Sequence, residues 1–392
     1  MFDVMRFWLD LGVDGFRLDA IGAIFEHPEL PNHEATLSLL DVYRAQRAAR
    51  TPEDWRQVAQ MWRSLFYYQV DQPGIHHLMQ ELRAVVDEYD DRVLVGETDD
   101  ISYYGAGDDE LHLVFNFPLM QMERLTPAWI RANQDLRLSA LPSGAWPCNT
   151  LGNHDSPRCC SRYSDGRDDK AVACTALALM LTLRGTPFLY YGEEIGMCDL
   201  MLDDVEQFRD MLGTWLYRIE TGALGTPHQE ALRFAVMFGR DKCRTPMQWS
   251  AAPNAGFCPA DVSPWLPVHP NYAQGLNVAC QIEDPASLLN FYRRMLRLRR
   301  ETPALIAGDY TPLHPHAEEY LAFLRSDAGS GQRCLVVLNM SDRPHTLHVD
   351  LGAGRLRPLF SSHSRTMTFD DPACLSLAPN EIYIAEFVQE GA

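Results

Sequence analysis

Five short apolar runs, each ending in polar or charged residues, constrain the fold of this 392-residue chain most strongly. In chain order they are VDGFRLDA (13–20), RVLVGE (92–97), LHLVFNFP (111–118), PCNTLGNHD (147–155) and GTPFLYYGEE (185–194). Helical patterns lie between or after them, over 76–89, over 169–184 and near 286–302. Strands that alternate with helices indicate a parallel sheet with both faces covered. Polar residues gathered at the carboxyl ends of such strands are typical of a (β/α)8 barrel, whose active site lies on that side.

The segments outside these runs define two long connections and a second domain. Residues 21–75 are predicted to be a helical excursion, and residues 195–285 form a loop rich in Pro and Gly that contains CRTPMQW (243–249). Long loops in compact domains are often functional, and we interpret the second one so. From about residue 310, five short alternating or apolar strands indicate a small all-β sandwich. They are YLAFLR (320–325), CLVVLNM (334–340), HTLHVDL (345–351), LSLAP (375–379) and IYIAEF (382–387). The predicted domains are therefore a partial barrel over 1–309 and a β-sandwich over 310–392.

Charge and composition exclude several classes of function. The formal charge is −19, which argues against a nucleic-acid partner, and no apolar run reaches membrane-spanning length. The ten cysteines include no CxxC pair, so we interpret them as reduced thiols of a cytoplasmic protein. No Cys/His set has zinc-ligand spacing, and no phosphate-binding or dinucleotide-binding glycine loop is present. We therefore expect no metal and no cofactor.

Three of the apolar runs end in a carboxylate, at Asp19, Glu97 and Asp155. Any one of them alone is more often a cap or an ion-pair partner, but three at equivalent ends of one barrel are expected to converge on a pocket. Arg17 lies two residues before Asp19, so both side chains leave the strand on one face. The arginine is expected to hold Asp19 as an anion in a partly desolvated pocket, as a nucleophile requires.

Glu97 has a different setting, because it follows the apolar stretch VLVG. Burial there is expected to raise its pKa and to suit it to the role of a general acid. One ionised and one protonated carboxyl are the pair required for glycoside hydrolysis.

These motifs resemble signature regions of a known enzyme family. GFRLDA, VGET and NHD are similar to the second, third and fourth signature regions of the α-amylase superfamily of glycoside hydrolases. FNF, YYGEEIGM and CRTPMQW resemble its α-glucosidase and oligo-1,6-glucosidase branch. The resemblance spans nearly the whole chain, in order and spacing.

The resemblance implies a role for each site residue. Asp19 would be the nucleophile, Glu97 the acid/base, and Asp155 the carboxylate that stabilises the distorted sugar. His154 would bind hydroxyls of that sugar, and Arg17 would orient the nucleophile. Arg244 resembles the arginine that closes the glucose pocket and makes such enzymes release one terminal glucose at a time.

Four further interpretations concern substrate specificity and the surroundings of the site. Alanine at the position of Ala20 tends to accompany α-1,4 specificity in this branch, which favours maltose-like substrates. Phe115 is expected either to line the pocket as a stacking surface or to pack within the barrel. One of Glu193 and Glu194 is expected either to support the pocket or, as the favoured interpretation, to form a structural ion pair with a cation. The acidic run 202–210 is predicted to be a solvated helix face.

An eight-stranded barrel requires three strands before GFRLDA, and only the helical segment FDVMRFWLD precedes it. The fold prediction is thus the last five β/α units of a TIM barrel followed by the β-sandwich, in an N-terminally truncated chain. A signal peptide lost with the missing part stays an open alternative for localisation.

The leading hypothesis is a retaining, exo-acting α-glucosidase that binds a small oligosaccharide and works by double displacement. The alternatives are a glucosyl-transferring relative that forms trehalose or isomaltulose, an α-1,6-specific oligo-1,6-glucosidase, and a non-catalytic amylase-like binding subunit. The isolated chain is expected to be weakly active or inactive, and its oligomeric state is left open.

Overall fold

A computed structural model describes residues 1–164, 166, 169–366 and 368–389. The chain divides into two compact units, each with its own core. Unit 1 comprises Met1–Phe115 and Ala140–Pro147, and unit 2 comprises Asn116–Ser139 and Cys148–Ala392.

Unit 1 is built on three parallel strands in the order β1-β2-β3. Leu18 of the first strand lies opposite Gly96 of the second, and Val95 lies opposite Leu113 of the third. The elements are α1 (Phe2–Asp10), β1 (Gly15–Leu18), α2 (Leu39–Ala48), α3 (Pro52–Leu65), α4 (Ile75–Val86), β2 (Val93–Gly96) and β3 (Leu113–Val114). The helix predicted over 76–89 is α4, and the predicted excursion 21–75 contains the helices α2 and α3.

The core of unit 1 lies between α1, α4 and the sheet. Met5 and Leu9 of α1 pack in one cluster with Met79 and Leu82 of α4 and with Leu94 of β2. Their spacing of three or four residues places these helical side chains on one face, which is why both helices lie against the strands.

Unit 2 begins with a parallel pair of strands and continues into an antiparallel sheet. The parallel strands are β4 (Cys148–Thr150) and β5 (Thr186–Phe188), which pair in the register Asn149 opposite Pro187. The helices are α5 (Phe117–Met120), α6 (Pro127–Ala140), α7 (Cys159–Tyr163), α8 (Asp169–Thr182), α9 (Met211–Arg218), α10 (His228–Phe238), α11 (Val278–Glu283), α12 (Leu288–Glu301) and α13 (Pro303–Ala307). The later strands are β6 (Asp309–Leu313), β7 (Tyr320–Ser326), β8 (Arg333–Asn339), β9 (His345–Leu347), β10 (Gly354–Ser361), β11 (Leu375–Leu377) and β12 (Ile382–Gln389).

The antiparallel strands form a five-stranded sheet in the order β10-β12-β8-β7-β6 and a separate pair, β11-β9. One face of the large sheet contributes Phe323, Val336 and Ile384 to a core shared with α8 and α12. The other face packs with Leu347 and Leu375 of the small pair. Strand pairing changes from parallel to antiparallel between β5 and β6; the domain boundary at 309–310 stays a prediction.

Helix α8 is the centre of the unit 2 core. Every residue from Thr175 to Leu183 is buried, because the helix is apolar all round rather than on one stripe. Within the ranges given above, no helix combines the length and the apolar character needed to cross a lipid bilayer.

The structure differs from the sequence expectations in three places. The run 111–118 is a strand only at Leu113–Val114, since Pro118 fits the first turn of α5 and cannot donate to a strand ladder. The strands β6 and β10 were not predicted. The acidic run 202–210 is not an α-helix: it contains only the 3-10 turn Val205–Gln207, and α9 begins at Met211, with Asp210 at its N-cap position.

Gly15 starts the strand that carries Arg17 and Asp19, and it has no space for a side chain. A Cβ atom there would lie 2.0 Å from the carbonyl oxygen of Val93, its pairing partner in β2. We expect Gly15→Ala to lower the free energy of unfolding by about 1–3 kcal/mol, the typical cost of overpacking. Gly329→Ala is the matched control, because only Asp327 side-chain oxygens at 3.7 Å lie near that position. Equal urea unfolding curves for both variants would contradict this explanation.

Candidate active site

The carboxyl ends of β1 and β2 bring one arginine and two carboxylates together in unit 1. Arg17 Nη1 lies 2.6 Å from Asp19 Oδ1, and Arg17 Nη2 lies 2.8 Å from Glu97 Oε1. The register explains the meeting: Leu18 pairs with Gly96, so the next residues of the two strands, Asp19 and Glu97, leave the sheet side by side. One guanidinium therefore bridges both carboxyl groups.

Backbone geometry at Ala20 holds the second carboxylate in place. Ala20 has φ 44° and ψ 49°, a left-handed conformation, and its N–H donates to Glu97 Oε2 at 3.0 Å. Burial raises the pKa of Glu97 above its usual value, and the neighbouring Asp19 acts in the same direction. The Ala20 N–H and the Arg17 charge oppose this shift without cancelling it. A raised pKa is what the sequence predicted for this residue.

The expectation of a partly desolvated Asp19 is not met in the structure. Its side chain is 77% exposed, whereas that of Glu97 is 19% exposed. The reason is topological: β1 is an edge strand of the three-stranded sheet, and Glu97 follows the central strand.

Unit 2 holds the third predicted carboxylate in a cluster of cations. Asp155 Oδ1 accepts a short hydrogen bond from Arg244 Nη2 and lies 3.6 Å from His154 Nε2. Arg244 is itself fixed by its Nε atom, which donates to the His154 carbonyl at 2.7 Å. The predicted residues His154, Asp155 and Arg244 therefore lie in one contact network.

Sequence reasoning missed two members of this network. Arg240 Nη1 donates to Asp155 Oδ1 at 3.3 Å, and its Nη2 and Nε donate to the two carboxylate oxygens of Asp210 at 2.6 and 3.0 Å. Asp210 ends the acidic run 202–210, for which the sequence predicts a solvated helix face, yet its side chain is only 4% exposed. An Asp directly before the apolar stretch MLGTWL is an N-cap signal, and that signal could have separated it from the exposed acids.

A cavity of about 510 Å³ opens beside this cluster in unit 2. Its lining combines the polar residues His154 and Arg244 with aromatic and apolar side chains: Tyr190, Tyr191, Pro246, Met247, Phe257 and Trp265. Polar groups at the base of an apolar, aromatic wall are typical of small-molecule sites.

Buried charges lie near the two tyrosines. Arg158 is fully buried, with its guanidinium carbon 5.0 Å and 4.8 Å from the ring centroids of Tyr190 and Tyr191. Glu193 is also buried; its Oε2 accepts from the Tyr190 N–H at 3.2 Å, and a Cβ on Gly152 would lie 2.1 Å from its Oε1. In the part of the chain that the structure describes, neither Glu193 nor Glu194 has a cation within ion-pair distance, so the predicted ion pair is not seen.

Phe115 follows β3 and is 7% exposed, which leaves little surface for a sugar, and its role as a stacking surface stays a prediction. The neighbouring FNF residue, Asn116, belongs to unit 2 and lies in a buried amide cluster. Its Nδ2 donates to Asn133 Oδ1 at 2.8 Å and to Asn149 Oδ1 at 2.9 Å. Asn149 lies in β4, so this cluster anchors the strand that leads to His154 and Asp155.

The Arg17 bridge predicts opposite pKa changes at Glu97. Replacing the neighbouring anion, Asp19→Asn, should lower the Glu97 pKa, whereas removing the cation, Arg17→Gln, should raise it. The measurement is the side-chain carboxyl ¹³C shift of Glu97 against pH, assigned by its loss in Glu97→Gln. Arg6→Gln is the control, because Arg6 pairs with Glu88 instead. Shifts in the same direction for both variants would contradict the bridge.

Glu193 predicts a pH dependence of stability. Burial raises its pKa from 4.5 to about 7, so the folded state holds a proton that the unfolded state releases. Its contribution to the free energy of unfolding should therefore fall as the pH rises from about 4.5 to 7, by about 3 kcal/mol. In Glu193→Gln this loss should vanish. The free energy of unfolding of the variant, measured by urea unfolding, should therefore rise relative to that of the wild type between pH 5 and pH 8. Glu194→Gln is the matched control; a gain independent of pH would refute the assignment.

Comparison with known proteins identifies the family. The family model for the alpha amylase catalytic domain matches residues 1–308. The chain is 31% identical over 365 residues to an oligo-1,6-glucosidase of Parageobacillus thermoglucosidasius, covering 88% of this chain and 59% of the relative. It is 35% identical over 368 residues to a probable alpha-glucosidase of Rhizobium meliloti, covering 91% and 60%. The chain thus spans about three fifths of the length of these relatives.

Solved structures agree on the fold. The trehalulose synthase MutB of Pseudomonas mesoacidophila superposes with a TM-score of 0.79 at 29% identity, covering 99% of this chain and 67% of that one. A trehalose-6-phosphate hydrolase of Bacillus licheniformis superposes with a TM-score of 0.74 at 26% identity, covering 99% and 68%. The fold class is accordingly a TIM-barrel catalytic domain with a C-terminal all-β domain. Since the family model spans 308 of its 392 residues, this chain belongs to the alpha-amylase family.

Proposed function

We propose that this protein is a retaining, exo-acting α-glucosidase that releases terminal glucose from maltose-like oligosaccharides. The observation that carries the proposal is the Arg17 guanidinium bridging Asp19 and Glu97, with both N···O distances below 3 Å. One guanidinium holds both carboxyl groups, and Asp19 is near enough to raise the pKa of Glu97. This arrangement supports a covalent, retaining mechanism, in which the two carboxyl groups lie closer together than in inverting enzymes.

In the first step Asp19 attacks the anomeric carbon, and Glu97 donates its proton to the glycosidic oxygen as that bond breaks. The raised pKa of Glu97, caused mainly by burial, favours the protonated form that this step requires. Arg17 contacts both groups, and its positive charge favours the anionic form of the nucleophile.

In the second step Glu97, now ionised, takes a proton from an incoming hydroxyl as that oxygen attacks the anomeric carbon, and the bond from this carbon to Asp19 breaks to release the carboxylate. Water as the acceptor gives hydrolysis, and a sugar hydroxyl gives transfer. The similarity to an oligo-1,6-glucosidase and to a probable alpha-glucosidase supports hydrolysis. The similarity to a trehalulose synthase supports transfer as the second candidate.

We assign sugar binding to the unit 2 cluster. All hydrogen bonds to the Asp155 carboxylate from described residues end on Oδ1, so Oδ2 is available to a sugar hydroxyl. His154 and Arg244 border the same cavity, whose aromatic wall suits the apolar face of a pyranose. We propose that the Arg244 guanidinium, which donates a hydrogen bond to the His154 carbonyl, closes one side of this site.

We base the proposed preference for α-1,4 linkages on Ala20. This residue is in a left-handed conformation and its N–H holds Glu97, so a β-branched residue there would strain the backbone beside the acid/base. The oligo-1,6-glucosidase names among the relatives make α-1,6 cleavage the direct alternative.

We further propose that β1–β5 are the last five strands of an eight-stranded family barrel. Activity should therefore be measured on two forms of the protein: this 392-residue chain and the protein as its own source produces it. A non-catalytic binding subunit is the alternative of a different class, and the presence of all three carboxylates speaks against it.

The nucleophile assignment is tested by Asp19→Asn in the form that is active. We expect glucose release from maltose to fall by a factor of at least about 10⁴, since the amide cannot form the ester intermediate. Asp14→Asn is the matched control: it lies at the start of the same strand, exposed and 3.8 Å from Arg92, and should keep its activity. Undiminished turnover in Asp19→Asn would overturn the assignment.

The product mixture distinguishes the candidate functions in the same assay. Glucose alone from maltose supports hydrolysis, whereas trehalose or a trisaccharide supports transfer. Faster cleavage of isomaltose than of maltose would replace the α-1,4 proposal by the α-1,6 alternative. No turnover of any α-glucoside by the full product, with sugar binding retained, would support the binding subunit.

A further inference from the structure

Asp155 is connected to a buried acidic framework that the proposed mechanism does not use. The Asp241 carboxylate accepts from the backbone N–H groups of Arg209 at 2.8 Å and of Asp210 at 2.9 Å. Asp210 in turn holds Arg240 through two hydrogen bonds, and Arg240 reaches Asp155 Oδ1. A continuous chain of polar contacts thus runs from Asp241 to Asp155.

The two hydrogen bonds from Arg240 to the carboxylate of Asp210 form a fork that is suited to fixing the arginine side chain. Two parallel N–H···O bonds determine both the position and the plane of a guanidinium group. Burial alone would raise the pKa of Asp210, but its hydrogen bonds and charge pairing with Arg240 leave it below the usual value. The pair is therefore ionised at neutral pH, with the Asp210 side chain 4% and the Arg240 side chain 33% exposed.

Arg244 contacts the same oxygen of Asp155 but is held differently. Its Nε atom is bonded to the backbone carbonyl of His154, the residue that precedes Asp155. The side-chain hydrogen bonds of Arg244 to described residues therefore reach only the loop that carries Asp155, at Asp155 itself and at the preceding carbonyl. Arg240 is the contact that ties this loop to a different part of unit 2, the start of α9.

We propose that Arg240, anchored by Asp210, is a positioning residue for Asp155. It holds Oδ1 against the framework at the start of α9, so that Oδ2 keeps one orientation toward the sugar. The inference rests on the proposed function for the role of Asp155, but the contact itself does not. A carboxylate held in its reactive orientation spends no free energy on reorganisation during the reaction.

The first test measures the contact without any assay of activity. Thermal unfolding midpoints are compared for Asp155→Asn, Arg240→Gln and the double variant. We expect a non-additive result, because each substitution removes the same interaction. In an Asp210→Asn background the non-additivity should shrink, since Arg240 is released from its anchor. Arg233→Gln, an exposed arginine on α10, is the matched control and should be additive with Asp155→Asn.

The second test uses the substrate that the wild type turns over. We expect Arg240→Gln to lower kcat by about 10–100-fold, the order expected for a misplaced catalytic group, with KM changed by less than about threefold. Arg240→Lys should recover only part of kcat, because an ammonium group keeps the charge but cannot form the fork with Asp210. Arg233→Gln should leave kcat unchanged.

The two tests separate the failure of this inference from that of the proposed function. Coupling in the unfolding cycle, with no turnover of any α-glucoside by the full wild-type product, would sink the proposed function and leave the contact standing. Additive midpoints, or an active wild type whose kcat is unaffected by Arg240→Gln, would overturn the positioning role. Full recovery of kcat by Arg240→Lys would show that charge alone suffices and would equally overturn it.

Discussion

The register of the parallel pair β1–β2 is the constraint on which the candidate site depends. Leu18 lies opposite Gly96, and the next residue of each strand is a carboxylate. A shift by one residue would turn one of these side chains to the other face of the sheet. Arg17, two residues before Asp19, then has both carboxyls within reach of one guanidinium. Gly15 supports this register, since its missing side chain lets β1 approach the Val93 carbonyl.

The two units hold the charged side chains of the candidate site in different ways. In unit 1 the three charged groups lie toward the carboxyl ends of β1 and β2, where Asp19 stays exposed and Glu97, which is largely buried, accepts a hydrogen bond from the Ala20 N–H. In unit 2 the charges are held by buried partners, with Asp210 and Asp241 behind Arg240 and an amide cluster behind β4. Buried polar groups are costly unless each is satisfied, so such networks restrict the side chains to one arrangement.

Motif spacing predicted the residues of the site better than it predicted their surroundings. Arg17, Asp19 and Glu97 could be placed together because strand periodicity and strand ends are local properties. His154, Asp155 and Arg244 were grouped only through the family resemblance, as some 90 residues separate the loop from the arginine. Asp210 was missed because it ends an acidic run, which is typical of exposed surface, and the N-cap signal before MLGTWL was its one local mark. Arg240 was missed because its role depends on contacts with Asp210 and Asp155, which lie far from it in the chain.

The sequence by itself determined the alternation of strands and helices in the first three quarters of the chain, the three carboxylates at strand ends and the change to short strands after about residue 310. Each of these follows from local periodicity and turn residues, which depend on neighbours within a few positions. Only the tertiary structure decided that Arg240 meets both Asp155 and Asp210, how exposed Asp19 is, and that Glu193 is buried with no ion-pair partner among the described residues. Those properties arise from contacts between residues far apart in the chain, and a single sequence does not encode them as a local pattern.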